Sequence, residues 1–588
     1  MAEETKEKID QQKHLTADDL AKEFKEHSVA EFFKKNRQML GLTGKIKTMT
    51  VIVHEYVSNS LDACEEAKIL PEIDVQIKEM GEEHYEVMIK DNGPGLTKET
   101  VGKALGQLLA GTKFHRLIQQ RGQQGIGAAG CTLLSLVTTG KPIQVISGIG
   151  KGKAFKCDLS IDPKTNASKL MNYEEIEKAF KGVAIKAQFK EVKYQKSDQS
   201  ALEYLRRTAI ANPHAKITFT EPDGTVTVFE RSSKDIPKRP IPIQPHPKGV
   251  TVDELLTMAK GTKSRKISSF LKEEFDRMGD KAIDEIAKSV KFDLNCEPKS
   301  LTWEQAEQII QQFKKITFIA PRLDSLIPIG EERIKKSIKS IVEPEFLEVV
   351  ERKPSVYRGG FPFCVEVGIA FGGNAGRAAG KDEEGKPVWK SEVMRFANRT
   401  PLLFDTGGCA LTQAVQSIDW KRYGVKDFEN SPITIFMHLL SVHIPYTGAG
   451  KQAVSPEDEI MEELRLAMMD AGRKIYRFIG HQRRLAEKEA KRKMYYKYAT
   501  EVAYAVAELT DGNKKEIEAK LHALVLKHLK LEEKKEQEEA KKIESLSEED
   551  IEKEYAKRKE KEKKEDDKKG KKGKKSAVEA EEGDENGG

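Results

Sequence analysis

One segment, residues 51–63 with the sequence VIVHEYVSNSLDA, constrains the fold of this chain more than any other. Its residues Glu55, Asn59 and Asp62 are spaced i, i+4 and i+7, which places the three side chains on one face of a helix. The apolar residues between them give the helix a second face that can pack against a sheet. A carboxylate one turn before a carboxamide can take a proton from water, while the amide oxygen binds Mg²⁺. Alone, the pattern is more typical of a solvated helix face.

Two alternating runs follow this helix, at residues 73–78 and 85–90, and both predict strands with one covered face. The second run leads into the sequence DNGPGL. Its aspartate, Asp91, can accept a hydrogen bond from an exocyclic amine such as that of adenine. Gly93 and Gly95 allow the backbone to come close to a flat ligand. The same sequence is also typical of a tight turn, and both interpretations stay open at this point.

A glycine-rich segment, RGQQGIGAAG at residues 121–130, precedes an apolar run that predicts a helix. The backbone N–H groups of such a loop can bind phosphates at the helix N-terminus. It is not a Walker A loop, because no Gly-Lys-Ser/Thr follows, and it lacks the βαβ setting of a dinucleotide-binding fingerprint. Upstream, Thr112 and Lys113 offer a hydroxyl and an ammonium group to the same phosphate site.

In this order and spacing, E-x3-N-x2-D, DNGPG and GxxGIG resemble the Bergerat ATP-binding fold of the GHKL superfamily, which includes gyrase B, heat-shock chaperones, histidine kinases and MutL. The resemblance implies an α/β (α+β) ATPase sandwich that binds ATP and Mg²⁺. It implies that Glu55 is the general base, Asn59 the Mg²⁺ ligand and Asp91 the adenine acceptor, with Asp62, Gly93 and Gly95 beside them. It assigns the phosphate-binding lid to eight consecutive residues: Arg121, Gly122, Gln123, Gln124, Gly125, Ile126, Gly127 and Ala128.

The composition excludes several other classes of protein. A chain of 588 residues should form several domains, and its net charge of +6 is too small for that length to establish a nucleic-acid partner. The six cysteines form no CxxC pair, which disfavours a zinc site or a disulfide framework. Because no signal peptide and no run of about 18 apolar residues is found, we expect a soluble cytoplasmic protein, located with the chromosome, that has no membrane partner.

Composition and patterning predict six parts of the chain. Five prolines between residues 237 and 247 mark a linker, and the helical pattern that follows it suggests a helix–two-turn–helix module. The tail is rich in lysine and glutamate and cannot bury a core, so we expect it to be disordered. The parts are an N-terminal arm (1–40), an ATPase domain (41–236), the linker and helical module (237–314), an α/β domain (315–455), a long helix with a short one after it (456–530), and the charged tail (531–588).

Local patterns predict the elements within these parts. Strands are expected at 143–147, 183–189, 216–220, 225–229, 363–370, 391–398 and 433–443. Helices are expected at 200–212, 252–259, 267–278, 281–290, 303–314, 411–423 and 514–531, and a glycine-rich loop at 372–385. A helix capped by Ser455 should run to Thr510, either unbroken or in two or three segments.

Lys451 follows a Gly-Ala-Gly turn, from which an ammonium group can reach a γ-phosphate as a point charge. In the gyrase-like and MutL-like branch of the superfamily, a second α/β domain, the transducer, supplies such a lysine. The sequences WKRY at 420–423 and GAGKQA around Lys451, together with the helical module, resemble the ATPase subunit of the type IIB topoisomerases over residues 20–510. The resemblance implies that Lys451 senses the γ-phosphate and acts in catalysis beside Glu55.

The resemblance also implies a function and partners. ATP binding would dimerise the chain and gate the passage of one DNA duplex through a double-strand break in another. The sequence contains no Asp-x-Asp pair, so the acidic metal cluster that type II enzymes use for DNA cleavage is missing from it. The resemblance implies that the cleaving tyrosine and that cluster lie in a separate A subunit of an A₂B₂ heterotetramer. The basic loop at 260–266 either touches DNA phosphates or is a solvated turn.

The alternative function is an ATP-gated chaperone or scaffold of the same superfamily that does not act on DNA topology. A histidine kinase is disfavoured, because no phosphoacceptor-helix pattern precedes the ATP motifs.

Overall fold

The computed structural model describes residues 31–32, 35–110, 117–122, 125–150, 154–177, 180–381, 385, 387–448 and 450–527. The chain forms two compact units. The first consists of Met1–Gln244, Arg399–Phe404 and Tyr446–Gln452, and the second of Pro245–Asn398, Asp405–Pro445 and Ala453–Gly588. The first unit therefore includes two short segments that lie far along the sequence, within the predicted α/β domain.

The first unit is built on an eight-stranded sheet in the order β5-β4-β3-β6-β2-β1-β7-β8. Its strands are β1 Glu72–Gly81, β2 His84–Asp91, β3 Ile143–Ile149, β4 Ala154–Ile161, β5 Ser168–Ile176, β6 Lys181–Lys190, β7 Lys216–Thr220 and β8 Val226–Phe229. Its helices are α1 Lys45–Glu66, α2 Lys98–Leu105, α3 Gly127–Thr139 and α4 Ala201–Ala211, after a 3₁₀ turn at Arg37–Leu40. The two-residue strand Thr400–Pro401 lies in the segment Arg399–Phe404. All pairings in the sheet are antiparallel except that of β1 with β7.

The sequence patterns explain why these elements form. Alternate residues of β1 and β2 are buried, as expected for strands with one covered face, and α1 buries its apolar side beneath them. Ser200 caps α4, since its hydroxyl accepts the N–H of Glu203 at 3.2 Å. The predicted strands of this domain are confirmed within a few residues, whereas α2, β4 and β5 were not predicted.

The second unit begins with a helical block around a core that includes Phe270, Phe275 and Phe313. Its helices are α5 Val252–Gly261, α6 Ile267–Glu274, α7 Asp280–Ser289 and α8 Trp303–Lys315, with 3₁₀ turns at Pro247–Gly249 and Pro298–Ser300. Capping boxes start α5 at Thr251 and α8 at Thr302. The predicted helix 267–278 is too long, because Phe275 is extended and packs edge-on against Phe270.

A second sheet follows the helical block. It contains β9 Phe346–Glu351, β10 Ser355–Tyr357, β11 Phe361–Phe371, β14 Glu392–Ala397 and β15 Ile433–Ser441. A separate two-stranded sheet consists of β12 Arg377–Lys381 and β13 Pro387–Lys390, and the helices of this region are α9 Glu331–Val342 and α10 Ala410–Gln416. Every residue of β15 is buried, and β15 pairs antiparallel with β11 and parallel with β14. The predicted loop 372–385 is wrong, because β12 forms a hairpin with β13 there.

The predicted helix 411–423 is also interrupted. It ends at Gln416, and a 3₁₀ turn at Trp420–Tyr423 follows. The Ser417 hydroxyl donates to the carbonyl of Ala414, and the Asp419 side chain caps the new turn by accepting the N–H of Lys421. Such short polar side chains compete with a continuous helix for backbone groups.

The last described element is one unbroken helix, α11 Asp458–Thr510, of 53 residues. At 1.5 Å per residue it is about 80 Å long, so the alternative of several segments is wrong. Ser455 does not cap it, because the helix begins at Asp458 and its N-cap is Glu457. Residues 514–527 are helical, and the rest of the predicted short helix, the tail, and most of the N-terminal arm lie outside the described residues. None of the helices in the described ranges is long and apolar enough to cross a membrane.

Candidate active site

Helix α1 presents Glu55, Asn59 and Asp62 as the spacing predicts, with Glu55 and Asp62 half-buried and Asn59 exposed. The Glu55 carboxylate lies against the first residue of α3. A Cβ atom on Gly127 would lie 1.7 Å from Glu55 Oε2, so glycine is required for this approach. The arrangement brings the predicted general base to the N-terminus of the helix that follows the glycine loop, where backbone N–H groups favour anions.

The second feature of the site is Asp91, at the end of β2. Its Oδ1 accepts the backbone N–H groups of Gly93 at 2.9 Å and Val183 at 3.0 Å, and its Oδ2 accepts the hydroxyl of Ser60 at 2.8 Å. Burial raises the pKa of Asp91, although these three hydrogen bonds act in the opposite direction. The carboxylate is therefore held in a fixed orientation, and the remaining lone pair of Oδ2 can accept a further donor, as recognition of an exocyclic amine requires.

Two glycines near Asp91 are required by the packing of the protein itself. Gly95 has a φ of +79°, and a Cβ there would lie 2.3 Å from the carbonyl oxygen of Gly148. Gly182 has a φ of +117°, and a Cβ there would lie 2.0 Å from the Asp91 carbonyl oxygen. These two close approaches are between segments of the chain, and the predicted approach of the DNGPG backbone to a flat ligand stays a prediction.

The glycine loop is described in part. Gly122 and Gly125 are exposed, Ile126 is the N-cap of α3, and Ala128 is buried in α3. Thr112, Lys113, Gln123 and Gln124 lie outside the described residues, so their predicted roles stay predictions. The side chain of Arg121 does not extend along the loop. It forms ion pairs with Asp62 and Glu65 of α1, each at 2.6 Å.

Lys451 lies in the segment Tyr446–Gln452 of the first unit, in a turn closed by its own N–H and the Gly448 carbonyl. Its ammonium group is close enough to two carboxylates of α1 for their charges to act on it. Burial lowers the pKa of Lys451, and the charges of Glu55 and Asp62 act to raise it. The structure therefore places the predicted sensor lysine near the predicted general base, about 400 residues earlier in the sequence.

The predicted Mg²⁺ ligand is Asn59, and this role stays a prediction. Among the described residues, no group of three His, Cys, Asp or Glu side chains could hold a metal. An exposed carboxamide oxygen on Asn59, one turn from Glu55, fits Mg²⁺, which often takes one or two protein oxygens and completes its shell with phosphates and water.

Comparison with known proteins gives two family matches. Residues 44–163 match the histidine kinase-, DNA gyrase B- and HSP90-like ATPase family, and residues 321–492 match the transducer of the topoisomerase VI B subunit. The chain is 48% identical over 491 residues to the B subunit of type 2 DNA topoisomerase 6 from Methanothermobacter thermautotrophicus, covering 83% of this chain and 92% of the relative. The chain belongs to the family of topoisomerase VI B subunits.

A second B subunit, from Pyrococcus horikoshii, is 43% identical over 564 residues and covers 88% of this chain and 98% of the relative. The 43K ATPase domain of Thermus thermophilus gyrase B covers 82% of this chain and 98% of that chain, at 13% identity and a TM-score of 0.35, which is too low to carry an argument. Of the two family matches, the ATPase match contains Glu55 to Ala128, and the transducer match contains Lys451.

Sequence reasoning missed several residues that shape this B-subunit site. Glu65 lies three residues after Asp62 on the same helix face, and its position on that face could have indicated it. Ser60, Gly182 and Val183 support Asp91 through sheet pairing and helix packing, which no local pattern records.

Proposed function

We propose that this chain is the ATP-binding and ATP-hydrolysing subunit of a type IIB DNA topoisomerase. ATP binding dimerises the chain, and the dimer gates the passage of one DNA duplex through a double-strand break made by the A subunit of topoisomerase VI, which relaxes or decatenates DNA. The observation that carries the proposal is the position of Lys451 beside Glu55 and Asp62, because this residue from the transducer match shares a compact unit with the ATPase motifs. The transducer match also supports this function over the chaperone-like alternative.

The site residues have distinct roles in the proposed reaction. Glu55 takes a proton from the attacking water, while the N–H groups of the glycine loop and of the α3 N-terminus bind the phosphates. Asp91 accepts the adenine amine, and Lys451 contacts the γ-phosphate as a point charge. Because Lys451 belongs to the transducer region, loss of the γ-phosphate removes an interaction that favours the closed state.

Mg²⁺ bound to Asn59 Oδ1 would neutralise charge on the phosphate oxygens during hydrolysis. The chain's part in this is to present a carboxamide oxygen one turn from the base. An Asn59→Ala variant should bind ATP with a weaker dependence on Mg²⁺ concentration. An unchanged dependence would remove Asn59 as the ligand.

The partners follow from the same proposal. We propose an A₂B₂ heterotetramer in which the A subunit supplies the cleaving tyrosine and its metal cluster. Its mass, measured by sedimentation of the co-purified subunits, should correspond to two copies of each chain. A complex of any other composition would contradict the heterotetramer.

DNA binding by the helical block is supported by the loop between α5 and α6. Lys260, Lys263, Arg265 and Lys266 are exposed there, while the Thr262 and Ser264 hydroxyls donate to Glu274 and Glu273 and order the loop. An ordered turn with four exposed cations fits the phosphates of a duplex. Replacing the three lysines with glutamine should weaken DNA binding and reduce its salt dependence.

The central experiment replaces Glu55 with Ala. ATP should still bind and dimerise the chain, while turnover should fall by about 10²–10⁴-fold, the usual contribution of a general base. Glu82→Ala is a matched control, because Glu82 is exposed in the turn between β1 and β2. Unchanged turnover in Glu55→Ala would exclude Glu55 as the base.

A supercoil-relaxation assay with the A subunit tests the wider function. The wild-type chain should support ATP-dependent relaxation, and Glu55→Ala should not support repeated turnover. If a competent A subunit shows no ATP-dependent relaxation with the wild-type chain, the topoisomerase function is wrong.

A further inference from the structure

The side chain of Arg121, at the start of the glycine loop, is 6% exposed and surrounded by acceptors. Its Nη1 donates to Asp62 Oδ1 at 2.6 Å and to Glu65 Oε2 at 3.0 Å. Its Nη2 donates to Glu65 Oε1 at 2.6 Å and also to Asn212 Oδ1. The fork geometry of the guanidinium group is thus matched by two carboxylates and a carboxamide, an arrangement that an ammonium group cannot reproduce.

Glu65 is the centre of this buried cluster. Burial acts to raise its pKa, but the charge of Arg121, hydrogen bonds from His214 and Arg121, and the charge of Arg399 outweigh that effect and hold the pKa of Glu65 well below its usual value. His214 Nε2 lies 2.8 Å from Glu65 Oε1. The cluster therefore keeps an ionised Glu65 and a charged Arg121 away from water.

The cluster joins elements that are distant in sequence. Asp62 and Glu65 lie in the last two turns of α1, Arg121 opens the glycine loop, and Asn212 ends α4. Asn212 Nδ2 donates at 3.3 Å to the carbonyl of Arg399, in the transducer-region segment of the same unit.

Asp62 also connects the cluster to the sensor lysine. Its carboxylate is paired with Arg121, and its charge acts on Lys451 as well. One carboxylate on α1 therefore interacts with the first residue of the glycine loop and with the lysine of the transducer region. A displacement of either cation changes the field at the other.

We propose that Arg121 is a positioning residue of the ATPase site. It fastens the start of the glycine loop to α1 and holds Asp62 beside Lys451, so that the loop and the lysine-bearing segment respond to nucleotide together. Arg121 acts through Asp62 and Glu65 and does not bind phosphate. This proposal deepens the ATPase function proposed above and rests on it.

The experiment measures ATP turnover, ATP affinity and dimerisation by a non-hydrolysable ATP analogue in the full chain. Arg121→Gln should lower kcat by about 10- to 100-fold, as expected when catalytic groups are misplaced by about 1 Å, while KM for ATP changes much less. The double variant Arg121→Gln/Glu65→Gln should have a kcat about tenfold higher than that of Arg121→Gln. A difference of this size lies within the coupling expected for two residues of one ion-pair network. In a Lys451→Met background, Arg121→Gln should cause little further loss.

Three outcomes would overturn the proposal. One is a raised KM with unchanged kcat in Arg121→Gln, which is the result for a phosphate ligand. Another is an additive loss in both double variants, which is the result for an independent or purely structural role. The third is an unchanged kcat in the single variant Glu65→Gln, which the proposal expects to lower kcat. This variant also tests the proposal if Arg121→Gln does not fold.

Arg231→Gln is the matched control, because it removes an arginine of the same unit whose ion-pair partner, Glu72 at 2.8 Å, is not a member of the cluster. Its turnover should equal that of the wild-type chain. Absence of turnover in the wild-type chain would count against the proposed function. In that case the role of Arg121 would still be decided by measuring how the same variants dimerise with the non-hydrolysable ATP analogue.

Discussion

Replacing Gly127 with alanine displaces the carboxylate of Glu55, the proposed general base, without removing it. A methyl group there would lie 1.7 Å from Glu55 Oε2 and 2.3 Å from its Cδ, whereas real contacts of this kind stay above 3.0 Å. The carboxylate must therefore move by more than about 1 Å, and a misplacement of that size costs about 100-fold in rate. The fold should remain stable, because the carboxylate that must move is the end of a flexible side chain. In addition, alanine favours a helix by about 1 kcal/mol over glycine.

The assay for Gly127→Ala measures steady-state ATP turnover, ATP affinity and the melting temperature of the same preparation. We expect turnover to fall about 100-fold at an unchanged melting temperature. Gly81→Ala is the matched control, since nothing lies within 4 Å of a Cβ at Gly81. Turnover within twofold of wild type in Gly127→Ala would refute the inference that the carboxylate position against α3 is the catalytic one.

Three further perturbations test other parts of the site. Lys451→Met should lower ATP turnover by about 100-fold, which is the scale of losing one preorganised donor to the reacting group. The affinity for ADP should be retained, and a comparable loss of ADP affinity would contradict a γ-phosphate role. Because burial lowers the pKa of His214 from 6.5, the unfolded chain binds this proton more readily, so stability to urea should fall as the pH drops below about 6.5. The same curve should fall further below pH 4.5, because the unfolded chain takes up a proton on Glu65 there, whereas the folded chain holds the pKa of Glu65 well below that value; His214→Gln should reduce the first part of the fall. Gly182→Ala should lower the melting temperature together with ADP affinity, because its Cβ would lie 2.0 Å from the Asp91 carbonyl oxygen; an unchanged melting temperature would refute this.

The elements with a strong local period were predictable from the sequence. The strand at Lys216–Thr220 and the helix start at Trp303 agree with the prediction to the residue, because alternation and a capping box record them locally. The interruption after Gln416 was missed, because Ser417 and Asp419 act through specific hydrogen bonds and not through periodicity. Strands β4 and β5 were also missed, because which of their residues are buried depends on the partner strands in the sheet.

In the candidate site, too, the features set by local sequence were predictable, and those set by tertiary packing were not. The face that holds Glu55, Asn59 and Asp62 follows from helix geometry alone. The direction of the Arg121 side chain does not, because it depends on carboxylates of α1 that the fold brings to the start of the glycine loop. Residue type and spacing identified the loop, and only the packing revealed what its first side chain contacts.

The membership of Arg399–Phe404 and Tyr446–Gln452 in the first unit has a consequence for biosynthesis. The ribosome completes Gln244 about 200 residues before it completes Gln452, a delay of roughly 10 to 40 s at 5–20 residues per second. During that interval the nascent chain holds an ATPase sheet without the lysine-bearing segment. With the role proposed for Lys451, a nascent chain therefore lacks the contact to the γ-phosphate until most of the transducer region has been made, which ties ATP turnover to synthesis of that region.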